Sequence, residues 1–348
     1  MAAPVASAST RMYRPSAPDA IDADLKSLWA EAGQGAPIAR ALMANLVVFC
    51  EHRPGERVDF EAPLTSVPLD EVVQRHPSRA VILHHPPGGA EAAAGPPIAA
   101  AVIVVTFGSG GARYGIEEIA VRSACADASL PSIVRHLTRG DAPTSIWWTE
   151  DLSRTPPLDA LMEMGRQLVY DSRAWRDVRQ GVRALAPLVR RPGTVDLADV
   201  NWRRLSAVRQ ALVHAAKSGG AGRFSAAEVR VFHRPGEGAL AWLLAGWLGS
   251  RLPDASTETL PVRVDERRHG DEILAIEIGT GQGAISATMN AQRVVVAIAG
   301  GAPPFHLAVR RESDADAVVA ELTSLSADLC LLDTLTALTR HFSLISGQ

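Results

Sequence analysis

The sequence predicts an N-terminal α/β domain with a mostly parallel sheet plus an antiparallel hairpin, followed by an α+β domain with a mostly antiparallel sheet. Three observations carry that expectation. Between residues 141 and 190, short apolar runs at 144–148 and 167–170 alternate with segments of helical period. Such alternation marks a βαβα unit and hence a parallel sheet. Between residues 260 and 310, strand-like runs follow one another with little helix, which favours antiparallel pairing. At 190–197 (RRPGTVDL) a Pro-Gly pair separates two helical patterns, and the domain boundary is placed there. The expected division is a disordered tail at 1–20, an α/β domain at 21–190 and an α+β domain at 191–348.

The elements follow in chain order. Residues 23–32 (ADLKSLWAEA) set Leu25, Leu28 and Trp29 on one helical face. Residues 45–50 form a nearly continuous apolar run of strand length, ended by a polar turn through Gly55. A helix at 67–74 tolerates Pro68 in its first turn, and a second strand occupies 80–84. The runs at 98–107 and 115–123 are joined by GSGGAR with no helix between them. Glycines in that setting make a hairpin, not a phosphate cradle. Ser129 is the expected cap of the next helix and Gly140 its stop. In the βαβα unit Pro156 opens one helix, and Trp175, Val178, Val182, Leu185 and Val189 form the stripe of the last.

Past the boundary, the helix at 199–216 has Trp202, Leu205, Val208 and Leu212 on one face, and 229–233 is a strand. The segment 238–252 (GALAWLLAGWLGSRL) is apolar nearly all round, so it predicts a buried central helix. Helices at 314–326 and 331–341 close the chain.

Composition excludes several function classes. A hydrophobic fraction of 47% and a charged fraction of 21% are those of a soluble globular protein. A net charge of -3 argues against nucleic acid as a partner, because phosphate binding needs a concentrated basic face. The arginines at 173–191 are interleaved with acids and read as a solvated helix face. Only Lys26 and Lys217 are lysines, which looks like a coding bias. No run approaches the roughly 18 apolar residues of a membrane span, so no membrane partner is expected. The N-terminal segment has Arg11 and Arg14 but no amphipathic stripe or apolar signal core, so it is not read as a targeting peptide. Three scattered cysteines, Cys50, Cys125 and Cys330, make neither a disulfide framework nor a zinc site and fit a reducing cytoplasm.

Searches for chemistry return little. There is no G-x-S-x-G, no H-E-x-x-H and no P-loop. The segment 273–286 (ILAIEIGTGQGAIS) resembles the glycine-rich first motif of S-adenosylmethionine-dependent methyltransferases. The helix that should follow is too short, and the next strand ends in glycine instead of an acid, so an antiparallel hairpin is the better reading. His84 and His85 point to opposite faces of a strand and cannot easily share a metal. Cys50 and Cys125 both end strands and are expected to be buried, inert thiols.

In an open parallel sheet, ligands and partners gather at the carboxyl ends of the strands. There lie Trp147 and Trp148, one ring expected in the core and the other outward, with Arg154 on the next loop. Asp171 and Ser172 follow the next strand and either meet a partner or cap the helix that Arg173 begins. These five residues are the candidate partner surface. No catalytic, cofactor-binding or metal-binding residue is assigned.

Several segments together resemble the OpcA-type glucose-6-phosphate dehydrogenase assembly proteins. They are ANLVVFC at 44–50, RHPSRAVIL at 75–83, IEEIAV at 116–121, TSIWWTED at 144–151 and LVYDS at 168–172. NWRRLSAVRQAL at 201–212, LLAGWLGSRL at 243–252 and AVRRESD at 308–314 complete the set. The resemblance implies a non-enzymatic partner that promotes assembly or activity of glucose-6-phosphate dehydrogenase, with no cofactor. The chain departs from relatives with more cysteines, so thiol control is not carried over from the resemblance. The competing reading is a sensor or enzyme that binds a sugar phosphate or nucleotide at the carboxyl edge of the first sheet. A concave, arginine-lined pocket there would favour the sensor, and a flat apolar patch the partner.

Overall fold

The long apolar runs become the centre of a sheet buried on both faces. This computed structural model describes residues 9–34, 37–52, 60, 65–86, 98–108, 113–191, 193–218, 226–251, 262–267, 270–280, 283–300, 303–324 and 326–345. The first sheet contains β1 (Thr10–Ser16), β2 (Ala39–Arg40), β3 (Ala44–Glu51), β4 (Ser78–His85), β5 (Ile98–Phe107), β6 (Tyr114–Ser123), β7 (Thr144–Trp148), β8 (Gln167–Tyr170) and β9 (Asp196–Asp199). Their order is β1-β5-β6-β4-β3-β7-β8-β9, with β2 beside β6. From β6 to β9 the strands are parallel, and β5 enters as the antiparallel hairpin partner of β6.

Burial explains the run of ANLVVFC. Every residue of β3 before Glu51 is buried, as expected of a strand covered on both faces. One cover consists of α1 (Ile21–Ala32), α3 (Leu130–Leu137), α4 (Asp159–Met162) and α5 (Val178–Val189), whose Leu28, Leu130, Leu161 and Leu185 belong to the same buried cluster as Phe49 and Trp148. The other consists of α2 (Leu69–Arg75), α6 (Val200–Arg203) and α9 (Asp314–Thr323), which bury Val72, Val200 and Val318 over Val48 and Trp147. Each such side chain contributes about 1.5–3 kcal/mol.

The second sheet has order β11-β10-β12-β13-β14-β15. Its strands are β10 (Ala226–His233), β11 (Val262–Glu266), β12 (Leu274–Thr280), β13 (Gly283–Met289), β14 (Arg293–Ile298) and β15 (Phe305–Ala308). All pairs are antiparallel except β10 with β11. Helices α7 (Ser206–Ser218), α8 (Gly238–Arg251) and α10 (Leu329–Ile345) pack with it. Helix α8 is the central helix its sequence predicts, buried from Ala239 to Gly249 apart from Trp242. The glycine-rich stretch joins β12 to β13 as a hairpin, with Thr280 opposite Gly283; residues 281–282 lie outside the described part.

Five local expectations are corrected. Residues 10–16, assigned to the tail, form the edge strand β1 against β5. Pro15 is admissible there because an edge strand can forgo a ladder donor; the expected tail at 1–8 lies outside the described residues. The helix after Pro156 shrinks to the single turn of α4. Ser129 ends a 3-10 turn and makes no side-chain cap bond. Finally, the chain does not leave the first sheet at the expected boundary. Strand β9 returns to pair with β8, and α9 comes back to cover α2. Asp199 caps α6 through the Asn201 amide, and the expected long helix breaks at Arg204-Leu205 into α6 and α7.

Candidate functional site

Strand order fixes where a ligand would be sought. The sheet grows from central β3 to β4 and β6 on one side, then to β7, β8 and β9 on the other. This is the arrangement of a dinucleotide-binding sheet, whose crevice opens outside the carboxyl ends of the two strands where growth reverses. Here those strands are β3 and β7.

That place is occupied by the chain's own hydrogen bonds. The Thr149 hydroxyl donates to the Phe49 carbonyl at 2.7 Å, and the Glu51 amide donates to Glu150 Oε1 at 2.9 Å. The Thr155 hydroxyl donates to the Glu51 carboxylate. Asp151 accepts from the Ser153 amide at 2.9 Å and from the Arg176 amide at 3.2 Å. Three carboxylates therefore take up donors where a phosphate would need them free. Among the described residues the next helix after β3 is α2, which begins at Leu69.

The neighbouring edge is equally structural. The Asp171 carboxylate accepts from the Arg173 amide at 3.0 Å and from Arg173 Nε at 2.7 Å, while Arg173 Nη2 reaches Asp314 at 2.8 Å. Two carboxylates hold the Arg173 guanidinium firmly charged, and the cluster ties the edge to α9. Ser172 is fully buried; its amide donates to Asp199 Oδ1 at 3.1 Å, and its hydroxyl accepts from Asn201 Nδ2 at 2.9 Å. Asp199 Oδ2 and the Tyr170 hydroxyl are buried without a hydrogen-bond partner. Burial, with Asp171 nearby, pushes the Asp199 carboxyl up to about 7.

Of the five candidate residues, the tryptophans are corrected. Alternation does send Trp147 and Trp148 to opposite faces, but both faces are covered and the rings are only 4% and 1% exposed. Sequence period shows which way a ring points, not what returns from residue 314 onward to cover it. Asp171 caps the turn at 172–174, which accounts for both it and Ser172. Arg154 alone is exposed. His85, the inward member of its pair, is fully buried, with its ring nitrogens 3.2 Å from the Ser123 carbonyl and 2.7 Å from Asp127. Among the described residues no group of three histidine, cysteine or acidic side chains could hold a metal, and no helix is long and apolar enough to cross a membrane.

Two places escaped the sequence reading. A cavity of about 710 Å³ is bounded by α7, α8 and the start of α10, with Arg209, Lys217 and Arg251 among its walls. Large apolar side chains are exposed at the opposite, amino edge of the first sheet, at Leu42, Met43 and Tyr114.

A doubly wound sheet, joined to a mixed second sheet, defines a two-domain α/β protein built on a dinucleotide-type scaffold. The chain belongs to the OpcA glucose-6-phosphate dehydrogenase subunit family: the N-terminal domain profile matches residues 69–187 and the C-terminal one 195–335. No curated protein sequence matches it significantly. Similar solved structures include the transcriptional regulator Gal80p from Kluyveromyces lactis, at 9% identity and TM-score 0.45, covering 93% of this chain and 94% of that one. A putative oxidoreductase from Magnetospirillum magnetotacticum has 12% identity and TM-score 0.37, covering 87% and 99%. UDP-N-acetylglucosamine 3-dehydrogenase from Acidithiobacillus ferrooxidans has 9% identity and TM-score 0.33, covering 87% and 98%. Likeness at this level carries no inference about function.

Proposed function

We propose that the protein is a non-catalytic cytoplasmic partner of glucose-6-phosphate dehydrogenase that promotes its assembly and raises its activity. Family membership supports the partnership. The observation that carries the non-catalytic part is the switch point between β3 and β7. Glu51, Glu150 and Asp151 use their carboxylates there to bind the protein's own donors, and a nucleotide phosphate would meet negative charge. A partner acts by binding one quaternary state of the dehydrogenase better than another. A differential affinity of about 1–3 kcal/mol shifts that equilibrium roughly 5- to 150-fold.

The test is dehydrogenase activity and mass by light scattering, with and without this protein, both from the same organism. A stable complex with raised activity is expected. Absence of both binding and activation sinks the proposal.

A further inference from the structure

One side of α7 is exposed and faces a cavity. Ser206, Arg209, Gln210, Val213, His214 and Lys217 recur at helical spacing on one face, while Val208, Ala211, Leu212 and Ala215 on the other are buried. With Trp247, Leu248 and Arg251 of α8 and Cys330 of α10, that face bounds the cavity of about 710 Å³. This size falls within the range of small-molecule sites, roughly 300–1,000 Å³. Its walls carry three cationic side chains and a histidine but no carboxylate.

Arg209 differs from other partly buried arginines of this protein. Arg203 is neutralised by Glu312 and Glu321, and Arg204 is gripped by Glu237. Neither Arg209 nor Lys217 makes an ion pair among the described residues. Arg209 lies flat on Trp202, its guanidinium carbon 3.8 Å from the ring centroid, and its Nε is buried without a hydrogen-bond partner. Burial pushes its pKa down, with Asp328 acting in the opposite sense. Arg251 is positioned from the other wall by Asp333 at 3.2 Å, and its Nη2 lies 3.0 Å from Cys330 Sγ. Val213 stays 39% exposed between the charged positions, so the cleft also offers apolar surface.

We propose that this cleft binds a phosphorylated small molecule of mononucleotide size. Arg209, Lys217 and Arg251 hold its phosphate, and its planar body lies against Val213, Trp247 and Leu248. A forked guanidinium fixed on an aromatic face suits phosphate geometry, with lysine as a second point charge. The site lies apart from the switch-point crevice and does not depend on the dehydrogenase partnership.

The test uses this protein alone. Calorimetry with AMP and ADP is expected to give micromolar binding that weakens at least tenfold for adenosine and for inorganic phosphate. Lys217→Glu, an exposed change, and Arg209→Gln should each weaken ADP binding at least tenfold while circular dichroism stays unchanged. Bound ADP should also slow alkylation of Cys330, read by mass spectrometry; this holds as a check if Arg209→Gln fails to fold. The proposal is overturned if neither nucleotide binds at millimolar concentration, or if Lys217→Glu leaves the affinity unchanged. It is also overturned if inorganic phosphate binds as tightly as ADP, or if an acidic peptide binds there and ADP does not displace it.

Discussion

Trp148 lies flat on Phe49, ring centroids 3.8 Å apart and planes within 3° of parallel, across the β3–β7 pair at the centre of the first sheet. Its indole nitrogen donates to the Thr155 carbonyl at 3.0 Å, so stacking and a buried hydrogen bond fix one ring. Truncation leaves a cavity and an orphaned carbonyl. Trp148→Ala should therefore destabilise the fold by about 3–5 kcal/mol, read as a lower urea midpoint. Arg154→Ala, on the exposed loop, should stay within about 0.5 kcal/mol. Equal stability of Trp148→Ala and the wild type would show that the ring is not part of the core.

The edge strand β1 neutralises a charge that the core cannot solvate. Glu118 is fully buried, and Arg11 Nη2 lies 2.8 Å from its carboxylate. Burial still raises the Glu118 carboxyl to about 7, with Arg11 acting in the opposite sense. Removing Arg11 raises it further. Arg11→Ala should thus lose stability at pH 8, where Glu118 is charged, and little at pH 5.5, where it holds a proton. Because Arg11 is partly exposed, the loss is set at about 1–2 kcal/mol. In the Glu118→Gln background the effect of Arg11→Ala should nearly vanish, and a persistent full loss would refute the pairing.

These two sites show what the sequence could and could not convey. Runs such as ANLVVFC and SRAVILHH announce central parallel strands because both faces are buried, and GSGGAR announces a hairpin. The sequence TRMYRPS announces nothing: it contains a proline and alternates weakly, and it becomes a strand because β5 offers an open edge. DLAD at β9 is too short and acidic to read as a strand, yet it extends the sheet beyond β8. Covering layers are the hardest to foresee. The fate of Trp147 depends on α9, which arrives from residues 314–323. On α7 the apolar face is legible, but a charged face looks the same whether it meets water or a cleft.

Asp199 supplies a second pH dependence. Its folded value near 7 lies above the ordinary 3.8, so the native state holds the proton more tightly than the unfolded chain. The stability from this group is fully present below about pH 4, falls as pH rises, and levels off above 7. Asp199→Asn keeps Oδ1 for the Ser172 and Asn201 amides and removes the buried charge. Its thermal midpoint at pH 8 should exceed the wild type's, by up to about 2–4 kcal/mol of stability, and the difference should shrink as pH falls and close below about pH 4. A wild-type midpoint that is higher at pH 8 contradicts this assignment.

The thiols should separate by burial. Burial pushes Cys50 up to about 12, so almost no thiolate exists at pH 8. Cys125 and Cys330 are partly exposed. Ellman titration of the native protein should therefore release two equivalents, with the third appearing only in denaturant. Cys50→Ser and Cys125→Ser should leave activation of the dehydrogenase unchanged under reducing and oxidising conditions. A redox response abolished by either change would assign that thiol a regulatory role.

If the partnership holds, we expect its apolar contact at the amino edge of the first sheet. With Trp147 and Trp148 buried, the carboxyl edge offers charged and hydrogen-bonded groups already engaged with one another. The amino edge offers Leu42 at 45% exposure, Met43 at 59% and Tyr114 at 44%. Ala41 donates to the Gly115 carbonyl at 2.9 Å, which brings the segment before β3 alongside the start of β6. Arg40, itself paired with Glu117 and laid over Trp29 at 4.6 Å, and Arg139 border the patch. Apolar residues rimmed by arginine suit a partner surface with an apolar centre and acidic margin, the usual anatomy of a specific interface. Leu42→Asp with Met43→Asp places two charges in that centre without touching the core. The double variant should keep its circular dichroism spectrum and urea midpoint while the complex weakens at least tenfold, corresponding to about 1.4 kcal/mol or more. Arg154→Ala should leave affinity within twofold. If the amino-edge variant still activates at the original concentration while Arg154→Ala does not, the contact lies at the carboxyl edge after all.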